Sequence, residues 1–298
     1  MTRRVSVPAP IYALGAIASV QVGATVARHL FAYVGPAASV LFRLGFGALI
    51  LLALARPRRP HLRPRQWAAI IPFGLVIAAM NLSFYEAIAR IPLGIAVTIE
   101  FLGPLGVAIA GSRRGRDFAW AGMAGAGVAM LSAERGTVTP VGVLFALGAA
   151  AGWASYILLS QRVGRLVPGP NGLAFALALG AIVLLPIGVA SAGARLLDPR
   201  NLALGLVVAI LSSAVPFSLE FAALRRLTIQ LFGILMSLEP AMGAVAGFLF
   251  LGQRLTAVQL LAIGLVTVAS AGATLSRRPA ASTGLVADAQ PGADVRPP

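Results

Sequence analysis

The chain has 298 residues, 58% hydrophobic and 11% charged, with a mean hydropathy of +0.89; that composition excludes a soluble globular domain and puts the chain in a bilayer. A net charge of +15 does not point to nucleic acid here, because the arginines fall in short clusters between apolar stretches without aromatic interleaving. Cysteine and lysine are absent, which removes disulfides, thiolate nucleophiles, Cys-ligated metals and Schiff bases, and no cofactor or metal is expected.

Hydrocarbon about 30 Å thick takes about 20 apolar residues at helical rise, and about ten such spans follow one another. The first, 10–30, lies behind Arg3 and Arg4 and has the outline of a signal peptide. The second, 36–55, holds Arg43 about seven residues in, roughly 10 Å deep and too far to snorkel easily. Its guanidinium is a candidate for a bidentate pair with a substrate carboxylate, or for a brace to a glutamate on another helix. In the third, 66–88, Trp67 reads as a belt anchor, and Asn81 and Tyr85 sit at depths suited to a cavity wall. Glu86 lies near that span's end, where headgroup water reaches it.

Span four, 92–111, carries Thr98 and, near its middle, Glu100; Pro104 lies four residues beyond and frees the Glu100 carbonyl. Kink and carboxylate together make a polar nick at midplane. Span five, 117–133, begins near Trp120, another belt anchor, and shows a small-residue seam at Ala121, Gly125 and Ala129. The sixth, 140–161, has a seam at Gly148 and Gly152 and two amphipathic groups, Trp153 and Tyr156, at cavity depth. The seventh is 170–192; the eighth, 201–223, ends near Glu220, which reads as interfacial. Span nine, 228–251, contains Ser237, Glu239 immediately before a second kinking proline, Pro240, and a seam at Gly243 and Gly247. The tenth is 256–275. Residues 1–9 form a cytoplasmic N-terminus, and 276–298, rich in Pro, Ala, Gly and Asp, read as a disordered cytoplasmic tail. The seams predict tight helix packing and leave a homodimer open.

Two stretches are written on one template. Ala13-Leu14-Gly15-Ala16 returns 133 residues later as Ala146-Leu147-Gly148-Ala149, with Tyr12 over Phe145 and Arg28 over Gln161. The run from Tyr85 through Ile88, Arg90 and Pro104 to Gly111 lies over Phe221, Leu224, Arg226, Pro240 and Gly247, 136 residues on. Residues 10–133 and 140–275 are therefore two repeats joined by a linker, 134–139, and the repeat partner of the first span lies mid-chain, which makes both permanent helices. Five spans per repeat bring the second copy in from the opposite face. The expected fold is an all-α membrane protein of ten transmembrane helices in two inverted five-helix repeats, an architecture suited to alternating access around a midplane site.

Arginine placement orients it. One side collects Arg3, Arg4, Arg56, Arg58, Arg59, Arg63, Arg65, Arg113, Arg114, Arg116, Arg162, Arg165, Arg225, Arg226, Arg277 and Arg278; the other has Arg28, Arg90, Arg135, Arg195, Arg200 and Arg254. Both termini are expected in the cytoplasm. An enzyme is not expected: His29 near a helix end and His61 in an Arg/Pro loop are the histidines, and the spans hold no HExxH, GxSxG or paired-Asp motif. Ionisable groups inside spans cost about 2.5–3.5 kcal/mol each at the centre, so Arg43, Glu86, Glu100, Glu220 and Glu239 need a reason to be there; for Glu86 and Glu220, near span ends, headgroup water supplies one.

Pro92-Leu93-Gly94-Ile95-Ala96-Val97, Glu100-Phe101, Gly103-Pro104-Leu105, and Phe232-Gly233 with Leu235-Met236-Ser237-Leu238-Glu239-Pro240-Ala241 resemble the bacterial inner-membrane threonine/homoserine exporters, in the EamA-type branch of the drug/metabolite transporter superfamily. The resemblance covers about 11–275. It implies ten helices, efflux of small amino acids and coupling to proton entry, with the lipid bilayer, an amino acid and protons as partners. Where that family usually has Gly-Glu before Leu-Thr, this chain reads Gly252-Gln253-Arg254-Leu255-Thr256, which removes one carboxylate. In the expected cycle the substrate carboxylate pairs with Arg43 and its ammonium with Glu100 or Glu239, and a proton from outside then displaces the ammonium. Rival readings are efflux of cationic drugs or other metabolites, which needs the carboxylates without Arg43, and a non-transporting membrane scaffold.

Overall fold

The computed structural model describes residues 8–55, 62–110, 115–133, 138–167 and 169–276, and over these the chain is helical with short connections. The N-terminal residues 1–7, most of the 134–139 linker and the tail from 277 lie outside the described residues. So do His61, Gly111, Arg3, Arg4, Arg56, Arg58, Arg59, Arg113, Arg114, Arg135, Arg277 and Arg278.

The first helix, α1 (Ala9–Ala55), has 47 residues. Unbroken, it would run about 70 Å, more than twice the hydrocarbon thickness. It is interrupted at Gly35, where φ is 78° and ψ 170°, a conformation that costs a glycine little. Pro36 follows and has no N–H with which to continue the turn. The break falls at the expected boundary between the first two spans. The remaining helices are α2 (Pro64–Ile88), α3 (Leu93–Glu100), α4 (Leu102–Ala110), α5 (Gly115–Ala133), α6 (Pro140–Leu166), α7 (Asn171–Ala192), α8 (Pro199–Ala209), α9 (Val215–Leu224), α10 (Ile229–Met236), α11 (Glu239–Leu251) and α12 (Ala257–Ser276). Among the described residues, eight helical stretches are long and apolar enough to cross a membrane. Against the ten expected spans, that count takes α1 as one stretch and omits α5, whose first turn carries Arg116 and Asp117.

Proline sets the next two breaks. Spans four and nine are each divided, at Phe101 between α3 and α4 and at Ser237–Leu238 between α10 and α11. Each division falls just ahead of a proline, Pro104 or Pro240, whose ring cannot accept the carbonyl four residues back. The short helices before the breaks, Leu93–Glu100 and Ile229–Met236, lie 136 residues apart and are equally long.

α1 packs against α2, α7, α8, α9, α10 and α11 and is the hub of the bundle. One apolar cluster runs through both halves and includes Ile77, Tyr85, Ile95, Ala146, Leu177, Val208 and Ala246. Outward faces keep large apolar side chains such as Leu144, Phe221 and Leu249, as lipid contact requires. Small residues decide where helices touch. Gly148 and Gly152 lie against Ser83 and Met80 of α2, and Gly243 and Gly247 face Val97 and Leu93 of α3. The expected seam at Ala121, Gly125 and Ala129 is corrected: Gly125 and Ala129 are exposed, and α5 instead packs through Gly127 against the Ala262 carbonyl. Three faces of an Ala/Gly-rich helix look alike in sequence, and only its neighbour selects one. Trp120, expected in the belt, is seated on Gly272, and its indole N–H donates to Ser276 Oγ at 3.1 Å.

Backbone meets backbone where α3 crosses α11: a methyl added to Gly94 would sit 2.6 Å from Ala244 Cα. Gly94→Ala is expected to destabilise the protein by about 1–3 kcal/mol through overpacking. Gly106→Ala, with nothing within 4 Å of the added methyl, is expected to be neutral. Thermal unfolding of both variants in detergent checks the pair, and equal midpoints would contradict the crossing.

Candidate functional site

The broken helices bring their carboxylates to one place. Glu100 ends α3, Glu239 begins α11, and the two helices cross at Gly94 and Ala244, so both acids reach a cavity of about 240 Å³ between the halves. Its wall also includes Gln21 and Arg43 of α1, Asn81 and Phe84 of α2, Trp153 and Tyr156 of α6, Leu177 of α7, Ser212 and Ser213, Phe217 and Glu220 of α9, and Phe232 and Met236 of α10. The amide end of α11 lies at Glu239 and favours negative charge there, whereas Glu100 sits at the carbonyl end of α3.

How α1 holds Arg43 is decided by an irregularity between α8 and α9. Residues Ile210–Ala214 form a π turn in which the Val215 N–H reaches back to the Ile210 carbonyl, leaving the Leu211 carbonyl without its usual partner. Pro216 has no N–H to offer the Ser212 carbonyl four residues back. Two backbone acceptors are thus released on one face, and α1 takes both. Ser19 Oγ donates to the Leu211 carbonyl at 2.7 Å, and Arg43 Nη2 donates to that of Ser212 at 3.4 Å. Arg43 also stands 5.7 Å from the Tyr85 ring centre, within cation–π range. Among the described residues no carboxylate lies within 4.0 Å of its guanidinium, although Glu100 feels its field. Its planar fork is therefore closed by no carboxylate among the described residues.

Six of the expected site residues line the cavity: Arg43, Asn81, Glu100, Trp153, Tyr156 and Glu239. Trp153 is held edge-on against Phe101, the residue at the α3–α4 break, at 5.5 Å, and Tyr156 packs on Phe73 at 5.2 Å. Asn81 Nδ2 donates to the Ile77 carbonyl at 2.8 Å and leaves its amide oxygen without a protein partner. The other three, Tyr85, Thr98 and Ser237, lie behind the wall. Thr98 and Ser237 return their hydroxyls to carbonyls one turn back, Gly94 at 2.6 Å and Gly233 at 3.0 Å, as buried hydroxyls in apolar helices readily do. Tyr85 is fully buried and backs Arg43. Glu86, as expected of an interfacial group, pairs with Arg90 at the partly exposed end of α2.

Glu220 is the principal correction. Its nearness to the span end predicts an interfacial position, yet it lines the cavity. The π turn is the reason: one extra residue rotates the helix beyond it by roughly 100° and shifts its depth. Pro216 beside Ser212-Ser213 inside an apolar span is the signal in the sequence that marks the irregularity. Gln21, a lone amide in the first span, is a site residue that sequence reasoning misses; it is 3% exposed and on the wall.

Comparison with known proteins adds to this geometry. A family model described as "EamA-like transporter family" matches twice, over residues 7–133 and 140–275. The chain is 44% identical over 281 residues, 93% of its length and 95% of the relative's, to "Threonine/homoserine exporter RhtA" of Salmonella typhimurium (strain SL1344). Identity is 45% over 268 residues, 89% and 90% of the two chains, to the protein of the same name in Escherichia coli (strain K12). A more distant relative, "Uncharacterized transporter YwfM" of Bacillus subtilis (strain 168), is 26% identical over 79% of this chain and 85% of its own. One solved structure shares the fold, with a TM-score of 0.61 at 20% identity over 90% of this chain and 96% of that one.

Proposed function

The chain belongs to the EamA-like transporter family, and from that premise we propose that it is a secondary transporter that exports small amino acids, threonine and homoserine among them. The observation that carries this reading is that Arg43 and Glu100 share one cavity without closing an ion pair. A zwitterion presents a carboxylate and an ammonium side by side, and fits between a guanidinium that no carboxylate closes and a carboxylate in its field. Two relatives named as threonine/homoserine exporters, matched over nearly their whole lengths, support the same substrate class.

The protein is a multi-pass membrane protein. In the proposed architecture α1 crosses twice, reversing at Gly35, and α5 is a crossing of its own, which gives ten transmembrane helices as two inverted repeats, 10–133 and 140–275. The equal lengths of α3 and α10 and the matching breaks at Phe101 and Ser237 support that pairing. The termini are cytoplasmic and the membrane is the inner membrane.

Export runs by alternating access with proton antiport. From the cytoplasm the substrate carboxylate pairs with Arg43 and its ammonium with Glu100, while Glu239 completes the acidic wall. After the halves rock, a proton from outside takes the ammonium's place on the carboxylate, the amino acid leaves, and the protonated carrier returns. Counterflow of labelled threonine in proteoliposomes, across imposed pH gradients, tests the reading. Trans-accumulation of threonine that grows as the export side is acidified is expected; no threonine flux above that of protein-free liposomes, with or without the gradient, would instead favour a scaffold.

A further inference from the structure

The cavity wall carries one guanidinium, Arg43, against three carboxyl groups, Glu100, Glu220 and Glu239. Arg43 compensates Glu100, which lies in its field. Glu239 and Glu220 share the rest of the wall, and among the described residues no cation lies within 4.0 Å of either. A zwitterion at Arg43 and Glu100 adds no net charge and leaves the far wall uncompensated.

Two oxygens mark that wall. Glu239 is 6% exposed and Gln21 3%, and Glu239 Oε2 and Gln21 Oε1 are buried without a hydrogen-bond partner. Both line the cavity, and Gln21 reaches the face of α11 that carries Glu239: a methyl added to Gly243, one turn along from Glu239, would stand 3.2 Å from Gln21 Oε1. An amide oxygen accepts, as does an ionised carboxylate, and a buried acceptor left unmatched costs about 1–3 kcal/mol. What they lack is a donor. Glu220, half-buried, and Tyr156, whose hydroxyl feels Glu220, complete the region, and Phe217 and Phe232 add aromatic surface suited to a cation. The cavity, about 240 Å³, is more than tenfold the roughly 10–15 Å³ that one water needs on the same measure.

We propose that Glu220, Glu239 and Gln21 form a second ammonium position, and that the protein thereby also exports diamino acids such as ornithine, with the α-carboxylate at Arg43, the α-ammonium at Glu100 and the side-chain ammonium on the far wall. The inference rests on the amino-acid export reading. It departs from efflux of simple cations, because it needs Arg43 as well as the acids.

The test is counterflow with purified protein in liposomes. Ornithine is expected to compete with labelled threonine at concentrations at least about tenfold lower than norvaline, which has the same length without the second amine, and labelled ornithine should itself be carried. Glu220→Gln is expected to lower the ornithine-to-threonine selectivity ratio at least about tenfold, and Gln21→Met to lower it in the same direction. Ornithine competing no better than norvaline, ornithine blocking without being carried, or Glu220→Gln reducing both substrates equally would each overturn the proposal. The wild-type competition decides the matter even where a variant fails to fold. Absence of threonine exchange in the wild type would refute the amino-acid reading itself, separately from the ornithine result.

Discussion

Arg43→Ala lowers threonine counterflow on the order of 100-fold while leaving a folded, monodisperse protein. The magnitude comes from how little of the guanidinium the protein itself engages. The protein holds it through a long hydrogen bond to the Ser212 carbonyl and through Tyr85 behind it, and among the described residues no carboxylate closes on it, so no ion pair is lost with it. A bidentate, charge-assisted pair with a substrate carboxylate is worth several kcal/mol, and each 1.4 kcal/mol is tenfold. Arg43→Lys keeps the charge without the planar fork and falls between the two. Counterflow, with size-exclusion profiles of each variant, reads the result. If Arg43→Ala loses amino acids and keeps organic cations, the cationic-drug reading takes over; threonine exchange at the wild-type rate removes Arg43 from the site.

The second large effect is uncoupling by Glu100→Gln. Glutamine keeps the volume, so the α3–α4 break and its packing persist, but it can neither take up a proton nor attract an ammonium as a charge. Flux driven by a pH gradient, acid on the export side, is expected to fall at least about tenfold relative to gradient-free counterflow in the same liposomes. The ratio separates coupling from binding, because poor binding lowers both arms together. Full gradient-driven flux in this variant would place the proton elsewhere, with Glu239 the next carboxylate to examine.

Much of the scaffold is legible in the sequence because proline and glycine act locally. Gly35-Pro36 breaks the first helix, and Pro104 and Pro240 break spans four and nine, through a missing N–H and a displaced carbonyl that need no neighbour to explain them. Arg43, Glu100 and Glu239 are legible for a different reason: charge at depth is costly, so each has to face the interior. What escapes a linear reading is whatever depends on rotation about a helix axis. Glu220 does so because the π turn at Ile210–Ala214 changes the phase of α9. Thr98 and Ser237 sit at the right depth but bond back to their own helices, and the outward seam of α5 is indistinguishable from its packed face. Depth can be counted along a sequence; azimuth is decided by partners.

The crossing of α3 and α11 has a mechanical consequence. Backbones touch at Gly94 and Ala244, and at the adjacent Leu93 the N–H donates to Gln253 Oε1, just beyond the end of α11, at 2.9 Å. Pinned at both points, the helices cannot shear past each other without tearing that bond or forcing side chains through backbone. Rotation about the pin is the freedom that remains. The crossing is thus a fulcrum with a carboxylate on each lever arm, so a small change in angle there moves Glu100 and Glu239 relative to one another.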